Sequence, residues 1–497
     1  MKVGWIETQL REVGDNLNAI IFNPSPRSKG LNSALSGLAV LTPLYLLGIL
    51  HWAFFFQFGE AAIGSNSNDW SDGLLYFSVV RDSIANLTIP YFVNPVPMNW
   101  GDVRFLANPQ SSLSPQMVLA PFMSAGNFIL VNTLIMYSVG FIGCLLLRSR
   151  FQLSLLPFVM LFLIFNFNGH ITSHLSVGHS MWYGYFLLPF FFLFVLELIR
   201  PSDRIRMATT IFLAFSLFGM VLQGSFHIFV WCSIFLGILA LFDENSRKEV
   251  LLAIVFAVCI SAFRLVPTVF VRLDYVAVYA SGFPTFATFL DALTTIKAFQ
   301  FEHPSSDLYN VGWHEQDHFI SYVGVGFIGL FGIYHRFSNN SAVADYRFRA
   351  LDLPLLLLVL ISFGFVFDIL SDLRLPILSF TERVPSRFLI IPLIGLAIVG
   401  AIRMQALLYT YNRNLVFKVL SVGAVIHLTH SLIAHSDFWK IPKSESGSID
   451  FLDNIDLNVV YDDRLYVAAV NGSAIFSAIA IVVLGFLAIR LVLNRYW

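Results

Sequence analysis

Charge is scarce in this 497-residue chain: Asp, Glu, Lys and Arg together make up 12% of it, against roughly 25% in an ordinary soluble domain. That excludes a disordered chain, a coiled coil and a basic nucleic-acid binder, all of which are rich in charge. Cysteine is scarcer still. Cys144, Cys232 and Cys259 each sit inside an apolar run, so neither a disulfide framework nor a zinc-binding cysteine pattern is present. The short loops contain no G-x-x-x-x-G-K-[ST] phosphate cradle, which argues against an ATP-driven pump. What fills the chain is apolar: 57% hydrophobic residues, with 51 Phe. A length that would suit two or three soluble domains therefore reads as an all-α polytopic membrane protein whose main solvent is lipid.

Runs able to span a bilayer need about 17–25 residues, or fewer with polar ends. Twelve qualify: 34–57, 127–147, 151–167, 183–199, 207–222, 228–242, 249–267, 319–335, 353–370, 387–403, 416–434 and 472–492. Before them, Ile6, Leu10, Val13, Leu17 and Ile20 recur at helical spacing, which predicts an amphipathic helix on the membrane rather than a secretory signal. Arg148/Arg150, Arg200/Arg204/Arg206, Arg247/Lys248, Arg336/Arg347/Arg349 and Arg403/Arg413/Lys418 all fall in loops of one side. The positive-inside rule makes that side cytoplasmic, with both termini there. Sorted this way, 19 basic and 10 acidic residues lie inside and 11 basic and 21 acidic outside, which returns the net charge of −1.

The resulting plan has a cytoplasmic segment (1–33), a transmembrane core (34–434) with long outer loops at 58–126 and 268–318, an acidic outer loop (435–471), and a last span with a cytoplasmic tail (472–497). Eleven of the twelve histidines fall on the outer side, His335 being the exception. Chemistry is expected at the extracytoplasmic face of the inner (plasma) membrane.

The first outer loop reads Asn68-Asp69-Trp70-Ser71-Asp72-Gly73, then Leu74-Leu75-Tyr76-Phe77 and Val79-Val80-Arg81-Asp82-Ser83-Ile84. Asp69 or Ser71 is placed to cap a helix lying on the bilayer. Capping is the bland reading of the carboxylate; the other is a reactive carboxylate beside a cavity. Ile89-Pro90-Tyr91-Phe92-Val93-Asn94-Pro95 and Asn99-Trp100-Gly101-Asp102 continue as an extended surface segment.

At this loop the sequence begins to resemble the GT-C superfamily of integral-membrane glycosyltransferases, and within it the bacterial YfhO-type branch. Asp72, the helix through Ile84, and Leu87-Thr88-Ile89-Pro90 to Pro95 follow that family's order of an acidic residue, an amphipathic helix and a G-x-x-P-x-x-x-P passage, with Leu87 replacing the glycine. Gly312-Trp313-His314-Glu315 and Tyr322-Val323-Gly324 are similar to its W-x-E…Y-x-G entry into a span, and Arg383-Val384-Pro385-Ser386-Arg387-Phe388 to its R-x-P-x-R-F. Gly169-His170 or Gly178-His179, with Trp182 and Pro189, resembles its G-H and downstream Trp and Pro.

The resemblance implies a polyprenyl-phosphate sugar donor, made inside, flipped and used outside, with a glycan, lipid or protein acceptor. Attack on an anomeric carbon needs a base for the acceptor proton, and a carboxylate of tuned pKa suits. Asp72 is preferred to Asp69 because it matches the family's position; three residues apart, the two can raise one pKa by repulsion. Glu315 is the reserve. The departing phosphate needs cations, which Arg provides in bidentate form: Arg383, Arg387, or Arg264, a charge near the outer end of a span. His170, His174, His179, His314 and Asp102 complete the candidate substrate contacts.

His170 and His174, at i and i+4, and the group His314-Glu315-Gln316-Asp317-His318 carry donors for a divalent cation. The preferred reading is a polar cavity wall for the first and a polar surface cap for the second, a divalent cation being the lesser alternative, and no metal or other cofactor is assigned. Membrane lipids are partners; nucleic acid is not. The rival from another class is a polytopic transporter or lipid flippase. Carriers place charges and broken helices near mid-membrane, whereas polar groups here gather in outer loops.

Overall fold

The computed structural model describes residues 31–63, 69–93, 103–200, 206–270, 282–296, 313–333, 348–372, 384–411, 415–445, 461–493 and, between the last two stretches, 447, 449–452, 455, 457 and 459. Among them every regular element is helical, and extended backbone pairs only in isolated bridges. The amphipathic segment expected at 6–20 lies outside the described residues.

Six helices are long and apolar enough to cross a membrane: Ala125–Phe151, Leu155–Val177, Ser180–Leu198, Pro385–Leu408, Leu415–Trp439 and Arg464–Leu493. The pair Arg247–Ile260 and Ala262–Phe270, bent by 63°, makes a seventh if it counts as one span. Leu41–Phe55, Arg206–Leu222, Phe226–Phe242 and Ser321–Ile333 are shorter apolar helices. Every one of the twelve apolar runs falls on helix, but only six of the described helices reach spanning length unaided.

The breaks have local causes. The run 353–370 is two helices, Arg349–Ile361 and Gly364–Asp372. Phe363 leaves the helix to form a bridge with Phe283, and Phe283 N–H donates to Ser362 O at 2.9 Å. The backbones meet so closely that a Cβ on Gly282 would lie 2.3 Å from Gly364 N. The run 249–267 bends at Ser261, beyond which Arg264 turns inward. Its Nη2 donates to Asn108 O (2.8 Å), Ser111 O (2.9 Å) and Ser111 Oγ (3.0 Å). A buried guanidinium needs such acceptors, and here it staples the bend to the first outer loop.

The run 151–167 does not end where its hydropathy does. Helix Leu155–Phe167 is followed by Asn168, whose side chain accepts from Ile171 N–H and so caps a second helix, Gly169–Val177. Its Nδ2 donates back to Ile164 O (2.8 Å) and to Tyr185 Oη (2.7 Å). His170 and His174, expected in a loop, thus lie on a helical extension of a span.

The helix of the first outer loop, Trp70–Ala85, is packed into the protein along much of its length: Trp70, Leu74, Leu75, Tyr76, Phe77, Val79 and Val80 are all buried. The loop after Trp439 reaches this helix and the two ends of the first outer loop. Leu452 N–H donates to Ser78 Oγ (2.9 Å), Ala62 N–H to Pro442 O (2.8 Å) and Gly126 N–H to Ile449 O (3.1 Å). The described part of 435–471 is therefore a strap across the first loop, and the last helix begins at Arg464 rather than at 472.

At the other ends of the helices, arginines meet helix-end carbonyls. Arg206 Nη2 donates to Leu198 O (3.0 Å), Arg247 Nε to Ala240 O (2.8 Å) and Arg403 Nη1 to Gly332 O (2.6 Å). Each acceptor lies in the last turn of its helix, where carbonyls lack intrahelical partners and cations are favoured. Arg387 heads the same helix that carries Arg403, roughly 24 Å away by helical rise. The site described next sits at that opposite end.

Candidate functional site

Four segments remote in sequence converge at the head of helix Pro385–Leu408. Helix Gly169–Val177 ends on Gly178, whose φ of +99° belongs to the left-handed region that glycine tolerates. A Cβ there would lie 2.2 Å from Trp70 N. The first outer loop docks against this turn: Asp69 N–H donates to Val177 O (3.0 Å) and Trp70 Nε1–H to Ser176 O (3.2 Å).

Docking sets Asp69 apart from the cap it was read as. Asp69 occupies the N-cap position of helix Trp70–Ala85 but makes no side-chain capping bond; its Oδ2 lies 2.6 Å from His179 Nε2 instead. Its side chain is 57% exposed while that of His179 is 3% exposed, so one edge of the carboxylate is held and the other is open. Asp72 follows in the first turn of the helix, half-buried, and the neighbouring Gly73 rests on Ser180, which a Cβ would meet at 3.2 Å from Oγ.

Behind Asp69 runs a column of aromatic nitrogens. His179 Nδ1 lies 2.6 Å from His174 Nδ1, the His174 and His170 rings are 4.4 Å apart, and Trp182 Nε1–H donates to His170 Nε2 at 2.7 Å. The expected i, i+4 face of His170 and His174 is present, and both side chains are buried. His318 stands 4.8 Å from His170, ring to ring.

The short helix Trp313–Glu315 brings the third carboxylate. Arg387 grips Glu315 with both arms, Nε donating to Oε2 at 2.6 Å and Nη2 to Oε1. Ser386 Oγ donates to Glu315 O at 2.7 Å. The Arg387 guanidinium lies 4.9 Å from the centre of the Trp182 ring, a cation–π distance. His314 Nε2 is 3.5 Å from Glu315 Oε1, and His174 Nε2 is 3.9 Å from Oε2.

The electrostatics separate the carboxyl groups. Burial pushes Glu315 up, but the Arg387 charge and the His314 contact hold it well below the usual range. Burial also pushes Asp69 up, and its bond to His179 outweighs that and keeps it below its ordinary value. Asp72 goes the other way, raised by burial and then by the charge of Asp69. Burial lowers His179 despite Asp69, and brings His318 to about 4.

Asp317, read from sequence only as part of a polar, donor-bearing stretch, holds the wall in place. Asp317 Oδ1 accepts from Phe319 N–H (3.0 Å), and Oδ2 from His435 Nε2 (2.9 Å) and Trp439 Nε1–H (2.8 Å). Asp317 thereby ties the 313–320 segment to helix Leu415–Trp439. The segment also presses on Gly169, whose N–H donates to Phe319 O at 2.9 Å. A Cβ on Gly169 would lie 1.8 Å from Asp317 Oδ1 and 2.4 Å from Phe319 N. Gly169→Ala should therefore cost more than about 4 kcal/mol, in the range that signals a broken packing contact. Loss of monodisperse protein in detergent, or a large drop in thermal midpoint, checks it.

Of the sequence candidates, the structure brings together Asp69, His170, His174, His179, His314, Glu315 and Arg387, with Asp72 one turn along its helix. Arg264 is bound to the carbonyls of the 106–111 segment and contributes to the bend rather than to this cluster. Asp102 and Arg383 lie outside the described residues. No protein-family model matches the chain, and no curated protein matches it. The GT-C resemblance accordingly rests on the motifs themselves.

Proposed function

We propose that the chain is an inner-membrane glycosyltransferase that moves a sugar from a polyprenyl-phosphate donor to a glycan, lipid or protein acceptor at the outer face. The observation that carries the reading is the pair of carboxylates at the head of helix Trp70–Ala85: Asp69, held 2.6 Å from His179 Nε2, and Asp72 in the first turn, with His179 lowering the first and burial raising the second. Such separation marks acid–base assignments in active sites. Asp69 stays ionised and holds His179. Asp72, raised by burial and by the charge of Asp69, is the base. It takes the acceptor hydroxyl proton as that oxygen bonds to the anomeric carbon. The bond from that carbon to the phosphate oxygen breaks, and the polyprenyl phosphate leaves with the electron pair. Arg387 supplies the positive charge that faces the departing phosphate.

The position of the charges favours transfer over transport. Asp69, His179, Glu315 and Arg387 sit at helix ends, where a headgroup is reached from one side, and not midway along a span. The test is release of polyprenyl phosphate by the purified chain in lipid nanodiscs, given a panel of short-chain polyprenyl-phosphate sugars and acceptor glycans. Turnover supports the reading. Alternating uptake and release of intact substrate across proteoliposomes, without bond cleavage, would replace it.

Twelve spans with both termini inside complete the proposal, since every apolar run coincides with helix. Cysteines placed at Asn245 and Val343 should label only from the cytoplasmic side. Labelling of either by an impermeant maleimide added outside would overturn this topology.

A further inference from the structure

We propose that His174, His179 and Glu315 bind one divalent first-row transition ion, zinc being the simplest fit, with Asp69 orienting His179 from behind. All three residues are buried, and one ligand atom of each lies within 4.8 Å of the others. Two imidazoles and a carboxylate form the donor set of open, three-ligand zinc sites. Imidazole donors suit zinc and its transition-metal neighbours, whereas magnesium favours an all-oxygen shell.

The hydrogen bonds around the neutral rings fix which lone pairs are available. His179 Nε2–H donates to ionised Asp69, so His179 Nδ1 carries a lone pair. The 2.6 Å contact between the two Nδ1 atoms then requires the proton on His174 Nδ1, which leaves His174 Nε2 with a lone pair; at His179 Nδ1 the ion takes the place of this contact. That nitrogen is fully enclosed and has no hydrogen-bond partner. Glu315 Oε2, itself an electron-pair donor, lies 3.9 Å away. Glu315 Oε2 already accepts from Arg387 Nε, so the ion would use the remaining lone pair of that oxygen and the unpartnered His174 Nε2.

With bonds of about 2 Å, tetrahedral ligand atoms stand about 3.3 Å apart, so small side-chain rotations close the gap. The bond from Asp69 to His179 is the carboxylate–histidine arrangement that sets tautomer and ring orientation at metal centres. Asp69, more than half exposed, also marks the way in. The ligand set differs from both sequence candidates: it takes one residue from each, His174 and Glu315, and adds His179. The inference does not rest on glycosyl transfer, because what is read is bound metal.

The full chain, purified through a histidine-free tag, should carry close to one equivalent of zinc by elemental mass spectrometry. After chelation it should take up Co²⁺ with the visible absorption of a four-coordinate site, displaced by Zn²⁺. Asp69→Asn leaves all three ligands in place and should weaken Co²⁺ binding about 10- to 100-fold. His179→Gln and His174→Gln should abolish it, while His427→Gln, on an exposed helix face, should not change it. A wild-type chain that holds no metal and shows no Co²⁺ band at about 100 µM overturns the proposal, whatever the variants do. So does wild-type affinity in Asp69→Asn, or loss of binding in His427→Gln.

Discussion

Asp72→Asn should lower glycosyl transfer by about 10²–10⁴-fold, the usual loss when a general base is removed, and leave the fold intact. Asn keeps the shape of the side chain at the head of helix Trp70–Ala85 and removes only its charge. Stability should not suffer, and the sign follows from the shift. Asp72 is raised in the folded state by burial and by Asp69, so its ionisation penalises the folded form once pH rises through that raised value. At neutral pH the Asn variant is free of the penalty, and its thermal midpoint should equal or exceed that of the parent. Asp69→Asn separates the two carboxylates further. It removes one of the two influences that raise Asp72, so the acid limb of the pH–rate profile should move to lower pH. Activity of a base is lost as pH falls through its pKa, and that pKa is now closer to ordinary. If Asp72→Asn retains near-normal transfer while Asp69→Asn or Glu315→Gln is dead, the base has been assigned to the wrong residue.

What the sequence made legible were the local features. Among the described residues, each of the twelve apolar runs coincides with helix, because such a run must be buried or face lipid along its length. The i, i+4 spacing of His170 and His174 predicted a shared face, and the rings stand together. Long-range contacts were not legible, and they decide both the breaks and the site. Nothing near Phe363 signals that Phe283, eighty positions earlier, will draw it out of its helix. Arg264 looked like a charge waiting for a ligand, yet its acceptors are carbonyls of the first loop. Asp69 had the position of a cap, and only the turn at Gly178 brings His179 close enough to claim its carboxylate. Asp317 was one acid in a polar stretch until His435 and Trp439, both on a distant helix, converged on one of its oxygens.

The Arg387–Glu315 pair should show the same dependence on distant partners as a stability effect. Both side chains are nearly enclosed, 4% and 8% exposed, and joined by two charge-assisted bonds. Removing one partner leaves the other charge in a dry site, which typically costs about 3–5 kcal/mol. Arg387→Met should therefore lower the stability of the solubilised protein by about that much, and Glu315→Leu by a similar amount, with transfer lost in both. Combining the two removes both charges from the interior. Because replacing a buried ion pair with apolar groups of similar volume is often neutral, the double variant should recover most of the lost stability. It should not recover transfer, since the cation proposed to face the phosphate is gone. A double-mutant cycle on thermal or denaturant unfolding, run beside the release assay, reads the two effects separately. Additive losses in the double variant would mean that the two residues are not paired in the folded protein. Recovery of transfer along with stability would remove Arg387 from the chemistry and leave it only as the counter-charge that lets Glu315 be buried.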